Sequence, residues 1–291
     1  MLRVKTMRLQ TMSSTRGEGR SFLKWAGGKT RYADQIVAAA PQYSGTYWEP
    51  FMGSAAVFFE LAPAKAVLSD ANPELVHCFR VVARDPESVM CRLDEMPNNR
   101  EYFESVRRQD VKALDDVDRA ARVIYLNKTS FRGLWRVNRA GQFNVPYGAY
   151  DRPYYNRATL LAASKLLQGV EIREADFGDS LREASSGDWV FLDPPYIPEG
   201  GYSDFKRYTS GQFHESDHER LAEAMRESSK RGVFLTLTNS DTDATRAIFK
   251  DFTVRRMATR RDINLQSDKR SSWDLVFTNY DVPDDDTLRL F

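Results

Sequence analysis

The sequence predicts an α/β protein on a mostly parallel sheet, with a second segment of different character set into it. Three observations carry that expectation. Short apolar runs recur along the chain, among them Ala66-Val67-Leu68, Trp189-Val190-Phe191-Leu192 and Val233-Phe234-Leu235-Thr236-Leu237. They are separated by stretches with helical spacing, and strands alternating with helices make parallel sheets. Residues 90–155 break the alternation: they are basic, aromatic and rich in amide side chains. Finally, Asp193-Pro194-Pro195-Tyr196 follows the buried run at 189–192, placing a carboxylate at a strand's carboxyl end, where open α/β sheets bind ligands.

Composition narrows the classes. The 291 residues fit one large domain or two smaller ones, and 42% hydrophobic with 29% charged is ordinary for a globular protein. No run approaches the length of a membrane span, and residues 1–20 are polar with no apolar signal-peptide core, so they read as a mobile tail. Two cysteines and three histidines exclude a disulfide framework and argue against a catalytic metal. The protein is expected in a reducing cytoplasm. Net charge is only +1, but cations cluster. One group holds Arg119, Arg122, Lys128, Arg132, Arg136, Arg139, Arg152 and Arg157; another holds Arg255, Arg256, Arg260, Arg261, Lys269 and Arg270. Interleaved aromatics make both read as a polyanion footprint. Acids gather at Asp284-Asp285-Asp286, so 282–291 reads as an acidic tail.

In chain order, Phe22-Leu23-Lys24-Trp25-Ala26-Gly27-Gly28-Lys29-Thr30 comes first. Adjacent glycines before a helix invite close backbone approach to a ligand, although the spacing fails the phosphate-loop pattern. The helix is expected to run through Ala40 and stop at Pro41. A strand at Tyr47-Trp48-Glu49 enters a turn at Pro50-Phe51-Met52-Gly53, then a helix to about Leu61 and a strand to Asp70. An acid at that place can accept ribose hydroxyls. Asn72 caps the next helix and Pro73 opens it.

Two helices are expected near 101–109 and 116–126, then a hairpin turning at Arg139-Ala140-Gly141. After a helix near 158–167, a strand at Val170-Glu171-Ile172 runs to Asp176-Phe177. A long loop is expected over 197–212, and a capping box at Ser216-x-x-Glu219 opens a helix. Residues 242–250 read as a helix, and 252–257 with 274–280 as a terminal strand pair.

These stretches together resemble the Dam-type DNA adenine-N6 methyltransferases. The resemblance covers roughly residues 22–280. It rests, in order, on Leu23-Lys24-Trp25-Ala26-Gly27-Gly28-Lys29, Glu49-Pro50-Phe51-x-Gly53, Gly133-Leu134-Trp135-Arg136-Val137-Asn138, Gly141-x-Phe143-Asn144-Val145-Pro146-Tyr147-Gly148 and Asp193-Pro194-Pro195-Tyr196. It implies a Rossmann-like methyltransferase sheet with an inserted, mainly helical DNA-recognition domain carrying a β-hairpin. Residues 21–89 and 156–281 would form the S-adenosylmethionine-binding catalytic domain, and 90–155 the recognition domain.

The resemblance also implies residue roles. Trp25, Ala26, Gly27, Gly28 and Lys29 would surround the amino-acid end of the cofactor, with Glu49, Pro50, Phe51 and Gly53 in the turn beneath. Asp70 would hold the ribose, and Asp176 and Phe177 the cofactor's adenine. Asp193 and Pro194 would bind the target amino group beside the methyl donor, and Tyr196 would stack on a flipped adenine. Lys24, Arg132, Leu134, Arg136, Asn138 and Pro146 would meet the DNA. Many family members act on GATC, and the hairpin resembles theirs, so GATC is the expected sequence. The implied partner is double-stranded DNA, bound by a monomer without metal or membrane. Three departures stand out: Ser54-Ala55 after Gly53, and the compositions of the loops 199–204 and 262–266. The alternatives are a cytosine-N4 methyltransferase, which usually shows Ser in place of Asp193, and a DNA-binding module without turnover.

Overall fold

The computed structural model describes residues 20–138, 140–197, 213–260 and 271–282. The polar tail at 1–19, Arg139, the loops 199–204 and 262–266, Arg261, Lys269, Arg270 and the acidic tail lie outside the described residues.

The first half of the chain builds one side of the sheet. It runs α1 (Ala33–Ala38), β1 (Tyr47–Glu49), α2 (Ala56–Leu61), β2 (Ala66–Asp70) and α3 (Pro73–Arg84). Helix α1 ends two residues before the expected Ala40, because a residue preceding proline is driven from helical geometry. Asn72 caps α3 as expected, its Oδ1 accepting from the N–H groups of Glu74 and Leu75.

The insert follows as α4 (Pro86–Asp94), α5 (Arg100–Arg107) and α6 (Asp116–Thr129). The expected hairpin is minimal. It has one antiparallel bridge, Val137 to Phe143, flanked by Asn138 N–H to Gln142 O (2.9 Å) and Asn144 N–H to Arg136 O (3.0 Å). The insert shares one continuous apolar core with α2, α3 and the sheet, in which Phe103, Tyr125, Trp135 and Phe143 meet Phe79 and Trp189.

The chain returns through α7 (Arg157–Leu167), β3 (Glu171–Glu174), α8 (Phe177–Glu183), β4 (Trp189–Leu192) and α9 (Glu215–Lys230). The expected capping box at Ser216 is displaced: Ser216 lies inside α9, whose N-cap is His214, and the His214 N–H donates to the Asp217 carboxylate (2.9 Å). Placing the cap there turns His218, Leu221, Ala222 and Met225 inward. The chain closes with β5 (Phe234–Ser240), α10 (Asp243–Ile248), β6 (Thr253–Arg260) and β7 (Ser271–Thr278), the last two longer than the expected pair.

The seven strands lie in the order β3-β2-β1-β4-β5-β7-β6. All pairings are parallel except those of β7 with β5 and with β6. β1 pairs with β2 on one side and β4 on the other, so the strand order reverses between β1 and β4. A crevice opens outside the carboxyl ends of such strands. It is bordered here by Glu49-Pro50 after β1 and Asp193 after β4. All four residues of β4 are buried, which explains its unbroken apolar run. A second apolar core, with Phe177, Leu181, Leu221, Met225 and Phe249, packs α8 and α9 on the opposite face.

Candidate active site

Asp193 leaves β4 at the reversal point, and its carboxylate is held unsymmetrically. Oδ1 accepts from Lys29 Nζ at 2.7 Å and from Thr238 Oγ1 at 2.7 Å. No described residue donates to Oδ2, and none donates to the Pro194 carbonyl. Lys29 is 4% exposed, also donates to the Gly27 carbonyl at 2.8 Å, and lies 4.7 Å from the Tyr196 ring centroid. A buried ammonium needs such partners, since an unpaired one costs several kcal/mol or more. The Tyr196 hydroxyl donates to Asp274 on β7 at 2.9 Å, and burial pushes its pKa well above the ordinary value. Ile197 is fixed to the end of β5, its N–H to Asn239 Oδ1 and its carbonyl to Ser240 Oγ. The tetrapeptide is thus bound to α1's approach loop, β5 and β7 at once.

Three further acids or their neighbours line the turns beside it. Glu49 is buried, with Oε2 accepting from the Tyr47 hydroxyl at 2.8 Å and the Phe58 N–H at 3.0 Å. Burial pushes its pKa up to about 8, against those two hydrogen bonds and with a further push from Asp193. Asp70 accepts from the N–H groups of Gly53 (3.1 Å) and Asn72 (2.9 Å), and burial raises it to about 6. Gly53 has φ +46°, and a Cβ there would stand 2.9 Å from the Trp25 ring, so glycine is required by both conformation and contact. Ala55 sits at φ 52° without that freedom. Pro50 is buried beneath.

Asp176, expected beside the cofactor's adenine, is engaged by its neighbours. Its carboxylate is taken by both terminal nitrogens of Arg220 (2.6 and 2.9 Å) and by the Gly178 N–H (2.8 Å), where it caps α8. The Arg220 hydrogen bonds hold its pKa below the usual carboxylate range. Phe177 stacks on Phe51 with centroids 5.4 Å apart, and Phe213 packs on both.

The expected DNA side is more dispersed. Lys24 is joined to α6 through Asn127, which accepts from the Lys24 N–H (2.9 Å) and donates to the Lys24 carbonyl (2.6 Å). The Lys24 stem packs on Gly133. Leu134 is half-buried and Pro146 exposed. Asn138 spends its side chain closing the hairpin, accepting from the N–H groups of Ala140 and Gln142 and donating to Gln142 Oε1. Arg136 is steadied by Asn144, with Nε to Oδ1 at 2.8 Å and Nη2 to the carbonyl at 3.3 Å. Arg132 adopts φ 58°, its N–H donating to the Tyr150 hydroxyl at 2.6 Å.

The structure divides the two basic clusters. Arg119 pairs with Glu74, Arg157 with Asp94 and Arg256 with Asp241, while Arg122 is buried against backbone carbonyls and Arg255 donates to the Val282 carbonyl. Five of these cations therefore make contacts within the fold, and of the expected pair at 255–256 Arg256 has its charge balanced by Asp241. Lys24, Lys128 and Arg152 behave otherwise. Lys24 and Arg152 flank the Tyr150 ring at 5.9 and 5.0 Å, both lie close enough to Lys128 to repel its charge, and none of the three has a carboxylate partner among the described residues. Burial, then repulsion from Lys24 and Arg152, brings the Lys128 pKa down to about 8, and burial with Arg152 lowers Lys24. Of this group only Lys24 was expected at the site; Lys128 and Arg152 were visible as charges, with nothing in their spacing to separate them from structural arginines. Among the described residues no group of three His, Cys, Asp or Glu side chains could hold a metal ion, and no helix is long and apolar enough to cross a membrane.

A sheet reversed at β1 and β4, closed by an antiparallel β7 and carrying Asp-Pro-Pro-Tyr on β4, defines a Rossmann-like methyltransferase. Comparison with known proteins makes this specific. A family model described as D12 class N6 adenine-specific DNA methyltransferase matches residues 25–263. The Type II methyltransferase M1.LlaDCHI of Lactococcus lactis subsp. cremoris is 36% identical over 271 residues, covering 90% of this chain and 95% of its own. The Type II methyltransferase M.MjaIII of Methanocaldococcus jannaschii is 35% identical, covering 90% and 100%. The DNA adenine methylase of Escherichia coli K12 is 29% identical, covering 90% and 96%. The chain belongs to the D12 class of N6 adenine-specific DNA methyltransferases.

Proposed function

We propose that this enzyme transfers the methyl of S-adenosylmethionine to N6 of an adenine turned out of duplex DNA, within GATC. The observation that carries the reading is Asp193, with Oδ1 saturated by Lys29 and Thr238 and with Oδ2 and the Pro194 carbonyl left as acceptors. Two acceptors on adjacent residues suit the two N–H groups of one exocyclic amine. That amine is a poor nucleophile while its lone pair is delocalised into the ring. Hydrogen bonds to Asp193 and Pro194 localise the lone pair and orient it for in-line attack. Tyr196, fixed through Asp274, offers its ring face to the extruded base.

The residues present fit the cofactor by charge. Asp70 ends β2 and Asp193 follows β4, with buried Lys29 paired to Asp193 alone, so the carboxylate at Asp70 suits a ligand carrying its own positive charge. S-adenosylmethionine supplies an electrophilic methyl on a sulfonium. Gly27 is at φ +80° with nothing within 4 Å of where a Cβ would be, which leaves space beside Gly27 for the amino-acid end. Asp70 would take the ribose, and Phe51 with Phe177 one face of the purine. Asp176 would act through its backbone or after release from Arg220.

Residues 90–155 serve as the recognition domain in this reading. Lys24, Lys128 and Arg152 would meet phosphate or guanine, and Arg136, held by Asn144, a guanine edge. The Type II names of two relatives support a place beside a restriction enzyme. The purified protein should move labelled methyl onto adenine in a GATC duplex, and Asp193→Ala should abolish transfer while keeping DNA affinity. Label on cytosine, no label on any duplex, or an active Asp193→Ala enzyme would each refute the proposal.

A further inference from the structure

We infer that Thr238, at the carboxyl end of β5, is a positioning residue for the methyl-transfer reaction, acting through Asp193. Its Oγ1 is 2.7 Å from Asp193 Oδ1 and 3.5 Å from the Leu192 carbonyl, so the carboxylate is the principal acceptor of its proton. Thr238 is 0% exposed, and a buried hydroxyl without a partner is costly. Here its shortest hydrogen bond goes to the carboxylate that the chemistry uses, with the Tyr196 hydroxyl also beside it.

The inference rests on the proposed role of Asp193 and adds a cause for its orientation. A free carboxylate rotates about χ2 and offers either oxygen. Two donors on Oδ1, arriving from different elements, remove that freedom. Lys29 comes from the loop before α1 and Thr238 from β5, the neighbour of β4 in the sheet. The two contributions differ. Lys29 is an ammonium that compensates the carboxylate charge and also braces the Gly27 carbonyl. Thr238 is neutral and adds direction without charge. Register locks it there: Leu192 pairs with Leu237, so the residue after each is placed side by side toward the carboxyl ends of the two strands. Thr238 thereby fixes which oxygen faces the acceptor amine. A hydrogen bond to a charged group is strong enough for its loss to matter at the barrier.

Thr238→Val keeps the branched shape and removes the hydroxyl, and Thr238→Ser restores it. Single-turnover methyl transfer to a GATC duplex should fall on the order of 10- to 100-fold in Thr238→Val. Dissociation constants for the duplex and for S-adenosylhomocysteine, and the melting temperature, should stay within about twofold and about 3 °C of the parent. Thr238→Ser should recover most of the rate. A Thr238→Val enzyme within twofold of the parent rate, or one whose loss is matched by weaker binding or not rescued by serine, overturns the inference. A parent inactive on every duplex would instead overturn the underlying reading of Asp193, and the inference with it.

Discussion

At the level of single residues, the chain carries polar groups whose burial has a measurable cost, and His218 is the clearest outside the crevice. It is 0% exposed on α9, packed edge-on to Phe213 with centroids 4.8 Å apart, and neither ring nitrogen has a hydrogen-bond partner among the described residues. Burial lowers its pKa from 6.5 to about 4. The folded protein keeps the imidazole neutral while the unfolded chain takes up the proton near 6.5. The unfolded state therefore binds more protons between the two values. The stability contribution is full above about pH 6.5 and is lost as pH falls toward 4. His218→Leu should raise stability by about 1–3 kcal/mol at pH 7, since orphaned nitrogens are removed. The advantage should widen by about 2 kcal/mol at pH 5. Urea unfolding of both proteins at the two pH values checks this. Comparing variant with parent cancels Glu49 and Asp70, whose raised values act in the opposite sense. An unchanged or narrowed difference at pH 5 would mean the imidazole is partnered. The sequence shows His218 only as one of a pair four residues apart. Its burial depends on where α9 begins.

At the level of elements, legibility follows how each helix starts. Helices α3, α5 and α6 have amide or acid caps ahead of apolar spacing, and the sequence reveals them. Helix α4 was hidden because α3 ends at Arg84 and α4 starts at Pro86, with Asp85 as its cap. A proline there reads as an end and is also a beginning. Helix α8 was hidden because Asp176-Phe177 reads as the tail of β3, whereas Asp176 is the cap of a seven-residue helix with Gly178 in its first turn. The tetrapeptide and the glycine turns were legible from local order. Their partners were not: Lys29 meets Asp193 across 164 residues, and Asp274 meets Tyr196 across 78. Asn127 is another long-range tie, joining α6 to Lys24 across 103 residues and to the Gly133 carbonyl. Asn127→Ala would orphan the Lys24 N–H and carbonyl together, at a cost of about 2–3 kcal/mol. Urea titration should show the midpoint fall with no change in slope. A loss below about 0.5 kcal/mol would mean that Trp25, packed on Trp135 and Gly53, holds the loop unaided.

At the level of the whole molecule, a net charge of +1 offers no general attraction for DNA, so affinity must come from where charge is left uncompensated. Among the described residues Arg119, Arg157 and Arg256 are paired with carboxylates, and Lys24, Lys128 and Arg152 are not. On the proposed reading, part of the electrostatic work of binding falls to Lys24, Lys128 and Arg152. Each phosphate neutralised by a lysine releases condensed counterions and steepens the fall of affinity with salt by about one unit of slope. Lys128→Gln should therefore flatten the plot of log Kd against log salt by about one unit between 50 and 200 mM, at pH 7. The pH dependence gives a second check. Lys128 titrates at about 8, so at pH 7 the free protein carries the charge and at pH 9 it has mostly lost it. Binding at pH 9 must then recover a proton before the contact forms, which weakens the parent through a group the variant lacks. The gap in affinity between the two proteins should accordingly shrink from pH 7 to pH 9. Parallel salt plots, or a gap independent of pH, would remove Lys128 from the DNA contact and leave its depressed pKa as a cost of burying it beside Lys24 and Arg152.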